Sequence, residues 1–175
     1  MWTPLRQPRS SAVALLGAVV LASSAQSSAR PTSYLAPAGS CGGARAQVML
    51  CLHDYARRQA GLPALHPSAT LIRAARAKSA DIASCGFSHS ACGHEFTYRV
   101  DWAGYRWTRL GENIAYGTGP LASARSIFSA WLRSPEHRAN ILDPVVRDVG
   151  IGSRRGTVAG RSSARIWVAE LGRHR

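Results

Sequence analysis

The sequence predicts an α+β fold in which a small sheet is covered by helices on both faces. Apolar residues recur at helical spacing in several runs before residue 132, and the period changes to alternation in the last third. The final strand is apolar on both sides, with Ile166 and Val168 facing one way and Trp167, Ala169 and Leu171 the other. Such a strand needs cover on each face, and helices are the available cover.

The elements follow in order. Over residues 44–60, Val48, Leu52, Tyr55 and Ala56 fall on a helical stripe, and Gly61 with Pro63 stops the run. A second helix starts with Pro67 and Ser68 and continues to Ser84, with Leu71, Ala75 and Ile82 inward and Gly86 ending it. Residues 95–103 read as a short third helix closed by Gly104. Leu121, Ala124, Phe128, Trp131 and Leu132 mark a fourth. Ser134 then caps a new start, with Pro135 at its first position and Glu136 near the positive helix end, so His137 sits in an oriented first turn. Val149 and Ile151 alternate with glycines, a polar loop is expected over 153–163, and residues 165–171 form the returning strand of a hairpin.

Residues 1–29 read as a signal peptide. Arg6 and Arg9 precede an apolar run over 12–22, and Ala25 or Ala29 fits the cleavage site. The run is too short to span a bilayer; the competing reading is an uncleaved amphiphilic anchor. Residues 30–43, rich in Pro, Ser and Ala, read as a linker and N-terminal tail, leaving 44–175 as the domain. No later segment is apolar enough to be transmembrane, so the expected product is secreted, extracellular or associated with the cell envelope.

Cys41, Cys51, Cys85 and Cys92 allow three pairings, and local spacing favours Cys41 with Cys51 and Cys85 with Cys92. Each short bridge would contribute roughly 2 to 3 kcal/mol. A cysteine metal site is disfavoured because no C-x-x-C pair occurs. The formal net charge is +13, but the basic residues are dispersed and nearly all arginine. That pattern speaks for solubility and weak attraction to anions rather than specific nucleic-acid recognition.

Chemistry concentrates in three places: Phe87-Ser88-His89-Ser90, Gly111-Glu112-Asn113-Ile114-Ala115, and the stretch from Trp131-Leu132-Arg133-Ser134-Pro135-Glu136-His137 to Leu142. With Gly61-Leu62-Pro63-Ala64-Leu65 upstream and the closing Ile166 to Gly172, they resemble in order the motifs of the CAP superfamily. This SCP domain is shared by cysteine-rich secretory proteins, antigen 5 and plant pathogenesis-related proteins, and the likeness is nearest its bacterial branch. The resemblance runs from about Val48 to Gly172. It implies an α-β-α sandwich with a small, mainly antiparallel sheet, and an open cleft lined by two histidines and two glutamates.

By that resemblance His89, Glu112 and His137 occupy three cleft positions, and the second glutamate's place falls on Ser134. Two imidazoles and a carboxylate resemble the His-His-Glu ligands of open zinc sites, so zinc is the ion expected if the cleft holds a divalent metal. The same trio suits proton transfer, since a carboxylate can orient a histidine that titrates near neutrality. Read alone, Glu112 between Gly111 and Asn113 is equally a turn-capping residue, and a lone histidine is usually structural. Other catalytic readings fail: Gly86 to Ser90 lacks the last glycine of a nucleophile elbow, and Tyr98 stands where His94-Glu95 would need the second zincin histidine.

Two functions remain. One is a secreted binding module for a small apolar or amphipathic ligand, a lipid, sterol or wall component; some CAP proteins are known for sterol and lipid binding. The other is a metal-assisted hydrolase, with proteolysis as one form of it, built on His89, His137 and Glu112. The missing second glutamate and the absence of an activated nucleophile favour binding.

Overall fold

The computed structural model describes residues 33–175. The expected signal peptide and the first residues of the expected linker lie outside the described residues. The described part of that linker is packed, which corrects the sequence reading. Ala36 is fully buried in the cluster that holds Met49 and Phe128, with Tyr34 and Leu35 against it. The Arg125 guanidinium donates to the carbonyls of Ala36 and Pro37, and Cys41 is bonded to Cys51. Three apolar side chains and a crosslink outweigh the Pro/Ser composition.

Five helices and four strands follow: α1 Arg45–Gln59, β1 His66–Pro67, α2 Ala69–Cys85, α3 Tyr98–Trp102, β2 Trp107–Gly117, α4 Ala124–Arg133, α5 Pro135–Ile141, β3 Asp148–Val158 and β4 Arg161–His174. The sheet order is β1-β3-β4-β2, with β1 parallel to β3 and the other pairings antiparallel. Ile166 and Val168 pack with Ala75 and Ile82 of α2, whereas Trp167, Ala169 and Leu171 pack with residues of α1 and α4. The last strand is therefore covered on both faces by helices, giving the α-β-α sandwich.

Four local readings change. Pro67 belongs to β1 rather than to α2, which starts where Ser68 Oγ accepts the Leu71 N–H. Residues 95–97 stay outside the third helix. The expected polar loop is instead the far end of a long hairpin, closed by Ala159 and Gly160 at φ 48° and 73°, the positive values that two-residue hairpin turns require. The stretch around Glu112 is strand, not turn: β2 pairs with β4 continuously from Arg109 to Gly117, with one irregularity between Trp107 and Arg109.

Two contacts set the layer spacing. A Cβ on Gly150 would lie 2.0 Å from the Leu71 backbone carbon, and one on Gly152 2.4 Å from that of Ala75, so α2 rests on the β3 backbone itself. On the other side the buried Arg57 donates to the carbonyls of Pro63, Ile141, Asp143 and Val146 at 2.8 to 3.1 Å, tying together the loops after α1 and α5. His53 is buried beside Phe128 and Trp131, with ring centroids 4.9 and 6.0 Å away. Its Nδ1–H donates to the Met49 carbonyl at 2.8 Å, and Nε2 has no partner. Burial pushes its pKa down to about 4.

Gly150→Ala should force α2 off the sheet and cost about 3 kcal/mol, read as a lower urea midpoint with the slope unchanged. For His53, the unfolded imidazole takes up a proton below its usual value near 6.5 while the folded one resists until about pH 4. Its contribution is therefore complete at neutral pH and falls by about 3 kcal/mol as pH drops through that window. Urea denaturation at both ends of the window should show that loss, and His53→Leu should be less acid-sensitive by that amount.

Candidate functional site

His89 is held by the loop that leaves α2. Gly86, at φ 103°, turns the chain out of the helix, and the Cys85–Cys92 disulfide closes the loop over a Cα separation of 5.1 Å. Within it the Ser88 and Ser90 hydroxyls meet at 3.0 Å, and Ser88 Oγ accepts the Ser90 N–H. Both disulfides have the pairing that local spacing favoured.

Glu112 lies opposite this loop on β2, its side chain only 1% exposed. His89 Nδ1–H donates to Glu112 Oε1 at 2.7 Å, and the His89 ring is half-exposed. Lys78 of α2, also buried, places Nζ 3.7 Å from Glu112 Oε2 and donates to the His89 carbonyl. One ammonium thus holds both the carboxylate and the loop that carries its imidazole partner.

Glu170 stands directly across from Glu112 in the β2–β4 register and is fully buried, and apart from that carboxylate its oxygens meet no hydrogen-bond partner among the described residues. Burial, and then the charge of Glu112, raise its pKa well above the usual carboxylate range. Sequence reasoning missed both Glu170 and Lys78. Each carried a signal: Glu170 interrupts an otherwise apolar strand, and Lys78 is the sole lysine among 22 basic residues.

His137 comes from α5, which Asn113 and Asn140 stitch to β2. Asn113 Nδ2 donates to the His137 carbonyl at 3.0 Å, and Asn140 Nδ2 donates to Asn113 Oδ1 at 2.9 Å. Gly111 makes room, since a Cβ there would lie 2.9 Å from Asn140 Oδ1. The half-buried His137 ring loses its proton more readily than usual, first through burial and then through the neighbouring His89. Ser134 starts α5 in extended conformation, but its side chain makes no capping hydrogen bond, so Pro135 and the asparagine bonds orient the helix instead. Glu136 is exposed, as its place at the helix end suggests.

The chemistry differs from the expected ligand trio. The Glu112 carboxylate points inward and is shared by His89 and an ammonium group, and among the described residues no group of three His, Cys, Asp or Glu side chains is placed to hold a metal ion. So arranged, these residues do not fit a His-His-Glu centre. They form a buried charge cluster that orients one imidazole, with a second imidazole beside it. Along the same edge Phe87, 42% exposed, meets Tyr116 of β2 edge to face at 4.9 Å.

Residues 50–170 match the model of the cysteine-rich secretory protein family. The YkwD protein of Bacillus subtilis strain 168 is 32% identical over 134 residues, which cover 75% of this chain and 51% of that protein. The chain thus spans about half the length of this curated relative. An extracellular SCP-domain protein of Bacillus anthracis superposes with a TM-score of 0.61 at 22% identity, covering 73% of this chain and 39% of the other. An outer surface protein of Borrelia burgdorferi gives a TM-score of 0.63 at 17% identity, covering 75% and 93%. Those two likenesses show the fold alone. With the family match spanning most of its length, the chain belongs to the CAP family, cysteine-rich secretory proteins, in its bacterial form.

Proposed function

We propose that this protein is an exported binding module whose cleft takes a small amphipathic ligand: a lipid, a sterol or a wall component with an apolar portion. The observation that carries the reading is the inward-facing Glu112. Its carboxylate is committed to His89 and Lys78, so the cleft offers a ligand two imidazoles rather than an open anionic centre. From Glu112 to Tyr116 is four residues of strand, about 13 Å. A polar head at the imidazoles would then reach the exposed Phe87–Tyr116 pair with its apolar part. Two disulfides, the absence among the described residues of any helix able to cross a membrane, and relatives described as extracellular or outer-surface proteins support export.

The competing reading is a metal-assisted hydrolase, and one observation favours it. A carboxylate on Nδ1 leaves His89 Nε2 facing outward, the arrangement by which carboxylates orient metal-bound histidines. It would need zinc on His89 and His137 with a third ligand from elsewhere.

Two measurements separate the readings. A dansyl-labelled medium-chain fatty acid should bind saturably, and Phe87→Ala should weaken it about tenfold, the value of a large part of one aromatic contact. Calorimetric zinc titration should show no stoichiometric site in the wild type. Zinc near one equivalent, abolished by either His89→Ala or His137→Ala, would establish the hydrolase arrangement instead. If the wild type binds neither the fatty acid saturably nor zinc stoichiometrically, the cleft is structural.

A further inference from the structure

Among the described residues β3 is an edge strand over most of its length. β1 pairs with it only at Asp148 and Val149. There the amides of His66 and Ser68 donate to the carbonyls of Arg147 and Val149 at 2.8 and 2.9 Å, so the residue at 149 turns its backbone groups away from β4. Strand alternation turns those of Ile151, Ser153 and Arg155 the same way, where no described strand meets them. A bulge between Gly156 and Val158 ends the run.

Two further features lie along this edge. A cavity of about 210 Å³ opens between α1 and α2, lined by Leu50, Pro67, Ile72, Val149 and Ile151. Arginines flank it from both layers. Arg76 reaches in from α2, while Arg155 and Arg165 oppose each other across the β3–β4 pair. Arg45, at the start of α1, and Arg155 both disfavour charge on Arg165, whose pKa burial has already lowered. None of the ion pairs among the described residues reaches these four arginines.

We propose that this edge binds an acidic polypeptide segment in extended conformation, which adds as a strand beside residues 151–155 and seats one aliphatic side chain in the cavity. The outward backbone groups recur every second residue, about 7 Å apart. Another peptide backbone matches that pitch with both donors and acceptors, whereas a phosphate or a sugar acid meets the charge alone. The arginines choose between peptides: a second copy of this chain would bring like charges to the same edge, and an acidic segment is drawn to it. The cavity supplies the side-chain pocket that strand addition uses for specificity.

The test uses fluorescence anisotropy on the full chain with a fluorescein-labelled heptapeptide of alternating glutamate and valine and a central leucine. Binding should saturate and weaken with salt. Arg155→Gln combined with Arg165→Gln should lower affinity at least about tenfold. Because that pair removes a cross-strand repulsion, the thermal midpoint should not fall, so lost binding will not reflect lost fold. Ser153→Pro removes one outward N–H together with the hydroxyl that accepts from Arg165, so Ser153→Ala is its control; the proline should lower affinity about fivefold relative to the alanine, as should methylating alternate peptide nitrogens. Peptide should slow amide exchange at Ile151, Ser153 and Arg155 and leave Gly150, Gly152 and Arg154 unchanged. Undiminished binding of the methylated peptide would overturn strand addition, and undiminished binding by the arginine variant would overturn the acidic partner. Absence of peptide binding, or a chain that dimerises through this edge in sedimentation, would overturn the proposal altogether.

Discussion

The direct seating of α2 on the backbone of β3 at Gly150 and Gly152 is the constraint from which the placement of Lys78, Glu112 and His89 follows. A helix held off by ordinary side chains would stand near the usual ten-ångström layer spacing, and a lysine on it would have room for water beneath. Here Lys78 lies buried one turn beyond the contact, close enough to meet Glu112 on the far strand. The same helix delivers Cys85 to Cys92, so the loop with His89 starts from a rigid base. Two glycines therefore position three groups that are distant in sequence.

The charges beneath that helix would not be stable as three independent ions. Glu112 and Glu170 face each other in register, and burying two carboxylates over one ammonium leaves an uncompensated anion in a low-dielectric layer. Holding the proton on Glu170 costs less than exposing either side chain, because β4 is the central strand and Glu170 has no route to solvent. That leaves Glu112 accepting from His89 and paired by charge with Lys78 at 3.7 Å. Apart from the Glu112 carboxylate, which the proton on Glu170 faces, the Glu170 oxygens have no partner among the described residues, the kind of polarity that persists where a site needs a particular charge arrangement.

What could be read in the sequence was what periodicity encodes. The α1 and α4 stripes and the two faces of β4 came from spacing alone, because each buries side chains at a regular interval. β2 did not, since Gly111 and Asn113 break its alternation: the glycine clears space for Asn140, and the asparagine is buried to hold α5. His89, Glu112 and His137 were legible as motif residues, yet the inward aim of Glu112 depends on strand register and on a lysine from another layer. Neither is written in local spacing. Ser134 shows the same limit from the other side: a residue of capping type at a capping position, with its side chain making no capping bond.

The two edges of the sheet are treated in opposite ways. At β2 the asparagines bind α5 against the strand, so the edge is covered and the histidines sit at its margin. At β3, among the described residues, only a two-residue strand covers the start, and arginines line the remainder. The acidic residues explain why that charge is not neutralised within the chain. Asp54, Asp81, Asp101, Asp143 and Asp148 are spent on structural hydrogen bonds, and Glu112 and Glu170 are buried together, which leaves Glu95 and Glu136 as the carboxylates without an internal task. A chain with 22 basic and nine acidic residues that commits most of its acids inward must display its surplus outward. A strongly basic open strand edge is thus a consequence of how the interior is held together, and it is also what keeps such an edge from pairing with its own kind.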